Sequence, residues 1–75
     1  MNNQNRKELK TAIALIEQAR EIIERMKEEE QTKFDNLSEG LQQTEQGVKF
    51  EETFSTFEDV CSELSEAVTS IEESM

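Results

Sequence analysis

The chain has 75 residues, 35% of them charged and 33% hydrophobic, with a formal charge of −10 and no His, Trp, Tyr or Pro. So short a chain forms one domain, near the size at which a single core is hard to bury. The absence of His and the solitary Cys61 exclude a zinc site and an intramolecular disulfide.

Low hydrophobicity with high charge often accompanies disorder. Here the apolar residues recur too regularly for that, and the spacing predicts a helical bundle or coiled coil. The polar start MNNQNRKELK carries no secretory signal, and no apolar run approaches the roughly 18 residues of a membrane span. No membrane association is expected.

The first predicted helix covers about residues 5–33, with Leu9, Ala12, Ile16, Ala19, Ile23 and Met26 at alternating spacings of three and four. A loop over 34–43 follows, then a second helix over about 44–74. Its stripe is Phe50, Phe54, Phe57, Cys61, Leu64, Val68, Ile71 and Met75, which is also a seven-residue repeat. Such spacing is the a/d seam of a coiled coil. Two helices of similar length with a short connection predict an all-α antiparallel two-helix hairpin.

Folding the chain about Gly40 pairs residues whose numbers sum to 80, such as Ala19 with Cys61 and Met26 with Phe54. One edge of this register then pairs Arg6 with Glu72, Arg20 with Glu58 and Lys27 with Glu51. The other edge is apolar in its middle, with Leu15 beside Ala67 and Ile22 beside Val60. A lone hairpin would leave that edge wet, together with half of the Phe50, Phe54 and Phe57 surface. At about 25 cal/mol per Å2 the strip favours association. A dimer forming a four-helix bundle is the expected outcome, with a different protein or a higher oligomer as the alternatives.

Between the helices, Asn36-Leu37-Ser38-Glu39 has the form of a capping box, which predicts a turn beginning at Asn36. Gly40 is expected to end that turn in the left-handed conformation, and Thr44 to cap the second helix. Phe34, Leu37 and Leu41 would close this end of the bundle.

Charge is partitioned along the chain. Residues 1–33 balance seven Lys and Arg against seven Glu, whereas residues 34–75 carry one Lys against eleven acids. Direct nucleic-acid binding is therefore not expected, and a protein with a basic surface is the natural partner. Glu52, Asp59, Glu66 and Glu73 recur every seven residues and point outwards from the second helix. They are the candidate partner-binding face, with a plain solvated surface as the bland alternative. No cofactor is expected. A narrow hairpin offers no evident catalytic cavity, and Cys61 falls on the core stripe, so enzymatic activity is not expected.

The loop also carries a resemblance. Glu29, Glu30, Gln31, Phe34, Asp35, Asn36, Leu37, Glu39, Gly40, Leu41, Gln42, Glu45 and Gly47 match a pattern of small acidic helical proteins of phages and prophages. Their loop reads aromatic-Asp-Asn-Leu/Met-x-Glu-Gly-Leu-Gln. This chain departs from it with Ser38 in place of the usual proline and Thr44 in place of serine. The resemblance implies a phage origin, and so the cytoplasm of a bacterial host, rather than an activity. Because short phage proteins without catalytic residues are often inhibitors, an inhibitor or sequestering agent aimed at a host or antiphage-defence protein is the expectation by class. The resemblance makes Phe34, Asp35, Asn36, Glu39, Gly40, Gln42 and Thr44 a candidate recognition loop. Two other readings remain open: an oligomeric sponge for a small anionic signalling nucleotide, held by backbone amides near Lys33 and Lys49, or a structural or assembly accessory.

Overall fold

The computed structural model describes all 75 residues and contains three helices and no strand: α1 (Asn3–Asp35), α2 (Glu39–Gln42) and α3 (Glu45–Ser74). Helix α1 is capped by Asn2, whose extended backbone places its side-chain oxygen 2.8 Å from the Asn5 amide. That bond satisfies one of the orphan donors of the first turn and draws the helix start ahead of Arg6 and Lys7. No helix is long and apolar enough to cross a membrane.

Helices α1 and α3 pack against each other along their lengths in opposite directions. The particle measures 58 × 15 × 12 Å with a radius of gyration of 17.2 Å, against about 11 Å for a compact domain of this length. Two helices side by side cannot enclose much. Only Gly47, Cys61 and Val68 are buried, and even Cys61 and Val68 keep 7% and 9% of their surface.

The face that each helix buries differs from the heptad seam. Helix α1 turns Leu9, Ala12, Ile16, Ala19 and Ile23 inwards as the repeat requires. Towards its C-terminus the half-buried residues become Ile23, Lys27, Glu30 and Phe34, while Met26 is 43% exposed. A straight α-helix drifts about 20° per heptad against a strict seven-residue repeat. After three heptads the inward direction has moved from Met26 to Lys27. Helix α3 is turned the other way, with Thr53, Val60 and Ala67 half-buried beside the central stripe.

This rotation corrects the register. The Cys61 thiol lies 4.0 Å from the Arg20 carbonyl, one position on from the expected Ala19, and Lys27 Nζ sits 5.3 Å from the Phe54 ring centre where Met26 was expected. At the turn end Phe34 stacks on Phe50 at 4.3 Å. Facing numbers thus sum to 81 at two of these contacts and 84 at the third. The rotation also breaks the expected ion pairs. Arg20 and Lys27 turn in while Glu51, Glu58 and Glu72 stay exposed, and neither these pairs nor Arg6 with Glu72 comes within 4.0 Å. The one ion pair in the protein is local, Lys33 with Glu30 at 3.3 Å within α1.

Candidate functional site

The turn is built from a short helix clamped between the two long ones. Asn36 does not open a capping box. It has right-handed helical geometry at the C-terminal cap of α1, and its amide donates to the Thr32 carbonyl at 3.1 Å. The cap that does open α2 is Ser38, extended at φ −65 and ψ 156, with its Oγ 3.4 Å from the Leu41 amide. Ser38 therefore supplies the start of α2.

Gln42 does the most for the junction. Its side-chain amide donates to the Phe34 carbonyl at 3.2 Å and the Leu37 carbonyl at 3.1 Å. The Phe34 carbonyl also accepts the Leu37 amide at 3.0 Å, so the Leu37 carbonyl is the one for which the Gln42 side chain stands in for a missing backbone donor. One side chain therefore ties α2 to the end of α1. Gln42→Leu keeps the volume but removes both donors, and should cost about 1–2 kcal/mol in urea denaturation. Unchanged stability would mean that the Leu37 carbonyl is satisfied without it.

Thr44 precedes α3 with an extended backbone, as expected of a cap, yet its side chain accepts no amide. Its hydroxyl instead donates back to the Leu41 carbonyl. Asp35 accepts from the Gln31 side chain at 2.8 Å, while Glu39 lies exposed in the first turn of α2.

The glycine that the turn requires is Gly47 and not Gly40. Gly40 is not left-handed: it lies inside α2, no residue has positive φ, and a Cβ there would meet nothing within 4 Å. Gly47, in the first turn of α3, is buried. A Cβ on Gly47 would overlap the Gln42 carbonyl oxygen and lie 2.6 Å from its carbon. Close approach of α2 to α3 is what requires a glycine here.

Away from the turn, two surfaces stand out. Glu52, Asp59, Glu66 and Glu73 are all exposed, and none is in an ion pair. Spaced by seven residues, they recur roughly every 10 Å along α3. The second surface is apolar. Leu15, Ile22 and Met26 are 61%, 48% and 43% exposed on one face of α1. Val60 and Ala67 of the expected edge are half-buried, as are Phe50, Phe54 and Phe57, so the exposed strip belongs mainly to α1. The turn end adds Leu41 and Val48, at 46% and 54%.

The largest recess, about 420 Å3, is walled by Ser65, Glu66, Thr69 and Ser70 without an apolar side chain. Small-molecule sites are mostly apolar and concave, so the long surfaces, rather than a cavity, are the candidates for binding. Comparison with models of known protein families, with curated proteins and with solved structures returns no match.

Proposed function

We propose that this chain is a non-enzymatic binding protein, phage-encoded, that self-associates and sequesters a host or antiphage-defence protein through the acidic surface of α3. The observation that carries the reading is the unpaired row Glu52, Asp59, Glu66 and Glu73, set on the helix that holds nearly all of the net charge. A row of exposed carboxylates on a rigid rod attracts a basic surface at long range and speeds its capture. The phage origin rests on the turn motif. Self-association rests on the apolar strip, which a single hairpin leaves in water.

Capture from a bacterial lysate, repeated over a salt series, tests the acidic surface. The expected result is a basic protein that is released as salt rises. Its affinity should fall on the order of tenfold to a hundredfold in the variant Glu52→Gln, Asp59→Asn, Glu66→Gln, Glu73→Gln, since exposed pairs contribute up to about 1 kcal/mol each. Equal capture by the neutralised variant would overturn the assignment. A thermal shift with cyclic nucleotides would instead favour the nucleotide sponge, and capture of a capsid or tail protein would favour the assembly accessory.

A further inference from the structure

The apolar strip of α1 has an occupant that the area and charge of this molecule identify: a second copy of the same hairpin. The surface of 5676 Å2 exceeds the roughly 4,700 Å2 of a compact monomer of this mass by about 900 Å2. That excess is close to the roughly 800 Å2 each partner contributes to a standard interface. Leu15 and Ile22 lie on the side of the hairpin that also carries Val60 and Ala67, and only Arg25 and Glu63 bring charge to its middle.

Two hairpins meeting on this side can be related by a twofold axis in two ways. If the axis runs across the helices, α1 covers α1 of the second copy and α3 covers α3. If it runs along them, each α1 covers the other copy's α3 and both turns lie at the same end. Charge separates the two. Helix α3 holds nine acids and one Lys, a net of −8, whereas α1 holds eight acids and seven cations, a net of −1. Packed helices stand about 8–10 Å apart, comparable with the Debye length of about 8 Å at physiological salt. The first arrangement therefore sets −8 beside −8, and the second sets −8 beside −1.

Shape agrees. With facing numbers summing to 81–84, Leu15 and Ala67 share a level, as do Ile22 and Val60. An axis along the hairpin keeps these levels and lays Leu15 over Ala67 of the second copy, large against small, as interdigitated packing requires. The transverse axis lays Leu15 against Ile22 instead.

From this we infer that the protein forms a same-end dimer, with α1 of each copy on α3 of the other and the turns together. The inference rests on the self-association proposed above. It places the two acidic rows on opposite flanks, so each dimer presents two separate binding faces, one per chain.

Cys61 is the only cysteine, which makes a spin-label test direct. In the Cys61→Ala background, Gln43→Cys labels the turn and Asn3→Cys labels the opposite end. A same-end dimer gives a copy-to-copy distance of about 35 Å or less for either label, given helices 8–10 Å apart. An opposite-end dimer gives distances near the 58 Å length for both, with a short distance only when one copy carries Asn3→Cys and the other Gln43→Cys. That outcome would overturn the same-end arrangement while leaving self-association standing. A monomer mass by light scattering, in the wild type as well as the labelled chains, would overturn self-association itself.

Discussion

Replacing Gly47 with alanine is expected to lower the unfolding free energy by about 2–4 kcal/mol, although the site is helical and alanine is the better helix former. The intrinsic gain of alanine over glycine in a helix is about 0.5–1 kcal/mol. Against it stands the overlap of a Cβ with the Gln42 carbonyl, which is backbone and cannot rotate aside. Relief requires α2 to move away from α3, and that motion pulls on the Gln42 amide that holds the Phe34 and Leu37 carbonyls. For a domain of this length the loss corresponds to a drop in melting temperature of about 10–25 °C. Gly40→Ala is the opposite case. It meets open space with ordinary helical backbone and should raise stability by about 0.5–1 kcal/mol. Thermal denaturation followed by circular dichroism, at matched protein concentrations, checks both. A Gly47→Ala protein that melts with the wild type would mean that the helices do not approach closely here.

The contrast between these glycines shows what a one-dimensional pattern contains and what it lacks. Periodicity identifies both long helices and their antiparallel pairing, because a face of Leu, Ile, Phe and Val has to be covered whatever its details. It also picks out residues 34–43 as the reversal. Gly40 then looks like the hinge because it lies at the numerical centre of the fold. The actual constraint depends on where α2 crosses the start of α3, a distance that no local propensity encodes. Gln42 escapes for the same reason, since a glutamine in a polar loop gives no sign that it reaches back to carbonyls five and eight positions earlier.

The ion pairs fail differently. Arg20 with Glu58 and Lys27 with Glu51 follow from an ideal seven-residue repeat, whereas straight helices drift from it by about 20° each heptad. A small angle accumulated over three heptads turns two cations towards the partner helix and their acids away from it. Lys27 then covers the Phe54 ring, an interaction that places a cation where the repeat placed Met26.

Introducing Leu15→Glu and Ile22→Glu together should weaken self-association by at least about a thousandfold. Burying a Leu or Ile side chain is worth about 1.5–3 kcal/mol, and a dimer loses two of each. The variant also forces four carboxylates per dimer against a largely apolar surface, where Arg25 is the one cation near its middle. In the isolated hairpin both positions are already 61% and 48% exposed, so the helix itself should tolerate the change. Ser55→Glu plus Ser62→Glu is the matched control. It adds the same charge at exposed positions on α3, away from the strip. Sedimentation at equal concentrations should show the control associated and the Leu15/Ile22 variant monomeric. Because the hairpin buries so few residues, association is expected to stabilise the fold, and the monomeric variant should melt at a lower temperature that no longer rises with concentration. If the Leu15/Ile22 variant remains associated like the control, the strip is not the contact surface. If neither variant nor wild type associates, the strip is not a contact between copies of this chain.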